Sequence, residues 1–247
     1  MPRESAAAVH SQLVVVRHGE STNNVVERFT GWRDVELTAR GREQARAAGQ
    51  VLAARGVAFA AVFTSMLRRA IESADLMLLA CGQTGVPRRA DWRLNERHFG
   101  ALQGMTKQES SAAFGAEQAR HFRRAWDTPP PPAPAGSADD PRTDARYAAW
   151  RDELPLAECF RDLAGRVERW WHAELRPVLA RGAAVLVVGH GQALRALGRA
   201  VEDSRAPALP SWRLQSARPR WYRLDARLQV LDVEDLGTGG GPDAPEE

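Results

Sequence analysis

Two stretches decide the fold: Val14-Val15-Val16-Arg17-His18-Gly19 near the start of the chain and Leu186-Val187-Val188-Gly189-His190-Gly191 towards its end. Each is a short, unbroken aliphatic run that stops at a histidine followed by glycine. Runs of this length without polar alternation belong to strands buried on both faces, as in a parallel sheet covered by helices. Each run is followed by a segment with helical character. In such a sheet the carboxyl ends of the strands face one crevice, where helix N-termini favour anions. The repeated ending therefore predicts that two histidines meet in one pocket.

The rest of the chain supports that reading, because short apolar runs alternate with longer stretches at helical spacing. A strand at 13–16 precedes a helix opened by Thr38 and closed near Gly56, with Ala45, Ala48, Val51 and Leu52 on one stripe. A strand at 60–63 leads to Ser65, the expected N-cap of a helix through about Leu79. Thr106 with Glu109 has capping-box spacing; it starts a short helix that Gly115 ends, and another is expected over 117–126. Prolines 129–132, Pro134, Gly136 and Pro141 make 127–145 an exposed loop. A helix with Phe160, Leu163, Val167, Trp170 and Trp171 inward is expected to run to Pro177. A strand at 183–188, a helix from Gly191 and two short strands at 221–224 and 228–233 complete the pattern. The fold expected is an α/β three-layer sandwich, a mostly parallel sheet flanked by helices, with a lid-like helical and loop insertion over about 92–150. Residues 1–236 form a single domain in this reading, and 237–247, GTGGGPDAPEE, a disordered acidic tail.

Composition narrows the function. The chain has 247 residues, 44% hydrophobic and 26% charged, ordinary for a soluble globular protein and long enough to bury a full core without staples. Cys81 and Cys159 are too few for a disulfide framework and too far apart for a CxxC pattern, which fits a reducing cytoplasm. No apolar run approaches the roughly 18 residues of a membrane helix, and the N-terminus has no signal-peptide core. The net charge of +3 includes six acidic groups and no basic one in 228–247, leaving +9 on the rest. A basic body suggests an anionic ligand. Of the basic residues 33 are Arg and one is Lys107, a compositional bias that does not indicate nucleic acid; nor is there an aromatic-interleaved basic patch.

At the two strand ends, Arg17 beside His18 offers a planar donor fork suited to phosphate, and the following glycines let backbone N–H groups approach closely. Singly, either histidine can merely end a strand; paired, they point to phosphate chemistry on a histidine nucleophile. Neither has a partner at helical or CxxC spacing for a metal. GHGQAL lacks the third glycine of a dinucleotide fingerprint, and there is no P-loop.

From Leu13 to about Arg199 the sequence resembles the 2,3-bisphosphoglycerate-dependent phosphoglycerate mutases of the histidine phosphatase superfamily. RHGES with Asn24, FTGW, LTARG, FTSMLRRA, WRLNERHFGALQGMTK, the Arg123-Arg124 pair followed by PPPP, and GHG occur in the family's order. RHG marks only the superfamily; the block from Arg93 to Lys107 with the Arg pair is more specific to the mutases. The resemblance implies that His18 takes the phosphoryl group, that Arg17, Arg69 and His190 hold its oxygens, and that Glu96 exchanges a proton with the substrate hydroxyl. It places Asn24, Thr30, Gly31, Gly191 and Gln192 at the phosphate or substrate, and Lys107, Arg123 and Arg124 on the second phosphate or carboxylate. It implies priming by 2,3-bisphosphoglycerate without a metal, a small phosphorylated substrate, no nucleic-acid or membrane partner, and a homodimer or homotetramer.

Three places depart from the family. Phe99 stands where the mutases usually carry Tyr, so a hydroxyl expected near the substrate is missing; one such bond is worth about 0.5–1.5 kcal/mol. Gln192 replaces the usual Asn. Leu209-Pro210-Ser211-Trp212 replaces Leu-Pro-Thr-Gly, and Trp212 is expected to narrow the pocket entrance. A mutase is therefore the leading expectation, with a phosphohistidine-dependent phosphatase of small monoesters or a catalytically silent phosphoglycerate-binding paralogue as alternatives.

Overall fold

The computed structural model describes residues 8–237. In chain order the principal elements are β1 (Ser11–Arg17), α1 (Thr22–Val25), α2 (Ala39–Ala54), β2 (Ala61–Thr64), α3 (Arg68–Ala80), β3 (Arg88–Ala90), α4 (Lys107–Phe114) and α5 (Ala116–Arg124). After a stretch of short 3-10 turns come α6 (Phe160–Trp170), α7 (Arg176–Leu179), β4 (Ala184–Gly189), α8 (Gly191–Val201), β5 (Pro219–Leu224) and β6 (Val230–Asp235). The strands form one six-stranded mixed sheet in the order β3-β2-β4-β1-β5-β6. The β3-β2-β4-β1 part is parallel; β5 and β6 add an antiparallel edge.

The unbroken apolar runs are explained by what covers each face. Leu13, Val15, Val185 and Val187 belong to a core cluster with Leu163, Val167 and Trp170 of α6 and Leu194 and Leu197 of α8. Their neighbours Val14, Val16, Leu186 and Val188 pack on the other face with Ala45, Ala48 and Leu52 of α2 and Ala74 and Met77 of α3. Successive side chains of a strand point to opposite faces, so a strand in the middle layer must be apolar at every position. All eight strand residues are at most 1% exposed. Trp170 sets its ring edge against Phe63, 5.3 Å between centroids, closing the α6 layer on β2.

Several expectations need correction. Leu67, not Ser65, is the N-cap of α3, because the Ser65 hydroxyl is engaged elsewhere, as described below. The helix beginning at Phe160 does not stop at Pro177: it passes through a π turn, Trp171–Leu175, into α7, which ends at Leu179 two residues after the proline. Residues 127–145 are irregular as expected but not uniformly exposed. Ala133 and Asp140 are buried, Ala101 N–H donates to the Pro131 carbonyl and Ala133 N–H to that of Leu156. The edge strand β3, with three exposed residues, carries no apolar signal and was not anticipated. Most of the acidic tail, 238–247, lies outside the described residues.

One close approach fixes the segment after β1. A Cβ added to Gly19 would lie 2.1 Å from the Gly41 carbonyl oxygen, and one added to Gly41 would lie 2.0 Å from the Glu20 carbonyl oxygen. The start of α2 can therefore lie directly against the turn that follows His18 only because both residues lack a side chain. Thr38 caps this helix, its Oγ1 accepting from Gly41 N–H at 3.0 Å. Gly41→Ala is expected to lower stability by about 1–3 kcal/mol through overpacking against backbone that cannot swing away. Urea unfolding measures this, and a variant as stable as the parent would show the contact to be loose.

Candidate active site

β1 and β4 run parallel in register, with Arg17 opposite Gly189, so their carboxyl ends stop together and release His18 and His190 side by side. His18 N–H extends the ladder by one bond, donating to the Gly189 carbonyl at 2.9 Å. The two imidazoles lie 5.0 Å apart, edge to face, and both are buried.

The tautomer of His18 follows from its partners. Nδ1 lies 2.6 Å from the Gly19 carbonyl, which can only accept, so Nδ1 carries the proton. Nε2 then presents a lone pair, and the Arg69 Nε–H donates to it at 3.3 Å. Arg69, in the first turn of α3, is itself held by donation from Nη1 to the Arg33 carbonyl and from Nη2 to the Gly31 carbonyl, each at 2.8 Å. His190 is fixed by Ser65: the Ser65 Oγ accepts from Leu67 N–H and lies 2.7 Å from His190 Nε2. The hydroxyl proton is then free for Nε2, which leaves the ring proton on Nδ1, where no acceptor exists among the described residues. Arg17 donates from Nη1 to the Leu214 carbonyl at 3.5 Å, and its buried Nε likewise has no acceptor among the described residues. Unsatisfied buried donors are costly, and two of them at the adjacent ends of β1 and β4 fit an anion such as phosphate.

Glu96 stands on the opposite wall. Its Oε1 accepts from Arg97 N–H at 2.8 Å and Ala193 N–H at 3.2 Å, and its Oε2 from Gln192 N–H at 3.3 Å. The carboxylate thus sits on the N-terminus of α8, where the helix dipole favours negative charge. The backbone that carries it is clamped. Arg166 donates from Nη1 to the carbonyls of Trp92, Arg93 and Asn95 and from Nη2 to that of Glu96, while Trp32 Nε1–H donates to the same Glu96 carbonyl at 2.6 Å. Arg166 also makes a two-pronged pair with Glu158, both bonds 2.7 Å, and each side chain is 3% exposed. A buried ion pair offsets its desolvation only with further hydrogen bonds, which these carbonyls provide. This clamp was not anticipated, although Arg166 lies three residues after Leu163 on the apolar stripe of α6, where a charge should have signalled an inward partner.

Arg17, His18, Asn24, Arg69, Glu96, Gly191 and Gln192 line a small pocket, a cavity of about 20 Å³. Asn24 turns its carbonyl to Ser21, accepting from its N–H at 3.0 Å and its hydroxyl at 2.8 Å, which leaves the amide N–H groups for the pocket. Gln192 also walls a second, wider recess of about 550 Å³, so the two adjoin. Lys107, Arg123, Arg124, Arg195 and Arg213 line that recess together with Trp126 and Phe160. Lys107 has Glu27 as a distant partner at 3.8 Å, whereas Arg123 and Arg124 have no carboxylate among the described residues. Burial and the adjacent Arg124 charge push the Arg123 guanidinium below its usual range.

Not every expected residue reaches these cavities. Thr30 is buried, with its hydroxyl 3.4 Å from the Arg28 carbonyl, and Gly31 serves by its carbonyl, which holds Arg69. Gly31 adopts φ +51°, and a Cβ there would meet the Gln103 amide at 2.1 Å. Phe99 points into a small cluster with Phe29 and beneath the Arg97 guanidinium, 4.5 Å away, and is not among the described residues lining the pocket. Trp212 does not narrow the entrance. It turns inward onto Gly198, where a Cβ would lie 2.3 Å from its ring, with the Arg220 guanidinium 4.6 Å above it. Trp126 is half-buried, packs against the main core cluster and also lines the recess.

Comparison with known proteins is consistent with this arrangement. The family described as the histidine phosphatase superfamily, branch 1, matches residues 13–142. A 2,3-bisphosphoglycerate-dependent phosphoglycerate mutase of Nitratidesulfovibrio vulgaris is 41% identical over 226 residues, 91% of each chain. Among solved structures, a mycobacterial glucosyl-3-phosphoglycerate phosphatase superposes with a TM-score of 0.65 at 26% identity, covering 92% of this chain and 97% of its own. A phosphoglycerate mutase from Bacillus anthracis superposes at 0.63 and 23% identity, covering 95% of both, and supports the fold alone.

The electrostatics give a pH prediction. Burial first, then the charges of Arg69 and Arg17, hold the His18 imidazole well below its ordinary range; burial and Arg69 do the same to His190. His98, also buried, is lowered as well. The folded state therefore resists protons that the unfolded chain accepts as pH falls through about 6.5, so stability present at neutral pH is lost on acidification. Melting temperature is expected to fall between about pH 7.5 and 5.5, above the range where most carboxylates titrate, and His18→Asn should flatten that fall. A melting temperature that rises or stays level over this interval in the parent protein would contradict the assignment of neutral, buried imidazoles.

Proposed function

Because this chain belongs to the histidine phosphatase superfamily, we propose that it is a phosphoglycerate mutase that interconverts 3- and 2-phosphoglycerate through phospho-His18. The observation that carries this reading is the coupling of two anion sites through Gln192: a small pocket around a neutral histidine, and a cationic recess beside it. A phosphoglycerate has both an ester phosphate and a carboxylate, and a mutase must grip one while the phosphoryl group moves. The 41% identity to a mutase over 91% of the chain supports the same choice.

In this reading His18 Nε2 attacks phosphorus in line, forming an N–P bond as the ester P–O bond breaks. Gly19 keeps Nδ1–H in place, so the lone pair stays on the attacking nitrogen and the imidazolium charge that develops has an acceptor already set. Arg17, Arg69 and the His190 Nδ1–H stabilise charge spread over the equatorial oxygens, at little reorganisation cost because the fold already holds them. Once His18 has been primed by the bisphosphate, the Glu96 carboxylate takes a proton from a substrate hydroxyl whose oxygen attacks phosphorus and releases the imidazole, and it returns that proton to the other ester oxygen as His18 attacks there and the P–O bond breaks. Lys107, Arg123 and Arg124 hold the carboxylate or second phosphate meanwhile. The buried donors of Arg17 and His190 that have no acceptor among the described residues, with Lys107, Arg123 and Arg124 around the recess, fit 2,3-bisphosphoglycerate, which when bound supplies the phosphoryl group that primes His18.

A specific observation also favours hydrolysis: the recess is wide, and a phosphatase at 26% identity shares the fold. Water would then take the place of the second hydroxyl at Glu96. Phosphorus NMR of the protein with 3-phosphoglycerate, with and without the bisphosphate, separates the two. The expected outcome is growth of the 2-phospho isomer, accelerated by the bisphosphate and abolished in His18→Ala, with Glu96→Gln slowed by about 10²–10⁴-fold. Free phosphate without the isomer would make the protein a phosphatase.

A further inference from the structure

The loop between α8 and β5 replaces the family's Leu-Pro-Thr-Gly pattern, and the structure shows what the replacement does. Trp212 and Leu214 turn into the body, the first onto Gly198 and the second into the main core cluster, so the residues between and before them must face out. Ser211 and Arg213 accordingly line the cationic recess. The loop is held in place at both ends of this stretch. Arg195 of α8 donates from Nε to the Pro210 carbonyl at 2.8 Å. On the other side Arg17 donates from Nη1 to the Leu214 carbonyl, and Ala217 N–H donates to the Arg17 carbonyl at 2.8 Å. Arg213 is thus the residue next to one whose carbonyl touches the strand-end arginine of the phosphate pocket.

Arg213 is exposed and makes no ion pair among the described residues. Together with Lys107, Arg123, Arg124 and Arg195 it makes five cations around one recess, and no acidic residue among the described residues lines it. Like charges gathered at a concave surface repel one another and are stabilised by an anion placed among them. We propose that Arg213 is a specificity-determining residue that binds the second anionic group of a phosphomonoester whose first phosphate lies at His18. The inward wedge of Trp212 is what aims it there. The substrate class is a phosphomonoester with a carboxylate or second phosphate a few bonds from the ester. This deepens the mutase reading and rests on the same site.

The test compares Arg213→Gln and Arg213→Lys with the parent, all in the full-length His18→Ala chain so that nothing is turned over. Calorimetry measures binding of 3-phosphoglycerate, which has both anionic groups, and of glycerol 3-phosphate, which lacks the carboxylate. Arg213→Gln is expected to weaken 3-phosphoglycerate about tenfold, as for a lost charge-assisted hydrogen bond, and to leave glycerol 3-phosphate within about twofold. Arg213→Lys should recover part of the loss, and the contrast should shrink in high salt because the site is exposed. Unchanged binding of 3-phosphoglycerate, or an equal loss for both ligands, would overturn the proposal. Product analysis of the parent protein with His18 intact separates this from the mutase assignment: free phosphate in place of the 2-phospho isomer would refute mutase activity while the binding contrast still decided the role of Arg213.

Discussion

The structure depends above all on the parallel, in-register pairing of β1 with β4. The pairing sets Arg17 opposite Gly189, lets His18 N–H continue the ladder to the Gly189 carbonyl, and so delivers two imidazoles to one spot 5.0 Å apart. A slip of one residue would turn each strand's apolar side chains onto the wrong layer, and since both layers are filled with helix side chains, the register is fixed by packing on two faces at once. The geometry of the pocket is therefore inherited from the hydrophobic core and does not rely on long flexible loops. Gly19 and Gly41 extend the same constraint, since their contact holds the turn after His18 against α2.

A site that gathers Arg17, Arg69 and two histidines, with Glu96 the one acidic residue among the described residues lining the pocket, is electrostatically unfavourable when empty, and the fold distributes that cost. The imidazoles stay neutral, the guanidinium of Arg69 is tied to two carbonyls, and Glu96 is drawn to the N-terminus of α8. The buried Arg166–Glu158 pair then holds the Glu96 backbone through carbonyls of residues 92–96. Cations facing the pocket are anchored by backbone groups, which leaves their remaining donors for an anion. The same logic continues outward, where Arg123, Arg124 and Arg213 face the recess with no carboxylate partner among the described residues.

Much of this was legible in the sequence, for definite reasons. The two aliphatic runs ending in His-Gly predicted buried parallel strands and a shared crevice, because both follow from local pattern and from where parallel strands end. The Thr106–Glu109 capping box appears as read, since its partners lie within one helical turn. What was not legible depends on contacts distant in sequence. Ser65 looks like a helix cap until His190, 125 residues away, claims its hydroxyl. Phe99 and Trp212 looked like changes at the pocket because they sit in family motifs, yet one packs on Phe29 and the other on Gly198. Arg166 could have been suspected from its place on an apolar stripe, but its four carbonyl partners could not.

The central claim is that the Nε2 of His18, held as a lone-pair donor by the Gly19 carbonyl, is the atom that receives the phosphoryl group. The most direct measurement is to mix the protein with 2,3-bisphosphoglycerate, quench at alkaline pH, where phosphohistidine survives, and locate the added phosphoryl group by peptide mass spectrometry. The account predicts one phosphoryl group, on His18 and on no other histidine, with none acquired by His18→Ala. A phosphoryl group found on His190, or a protein that turns over phosphoglycerate while His18 is never phosphorylated, would contradict it.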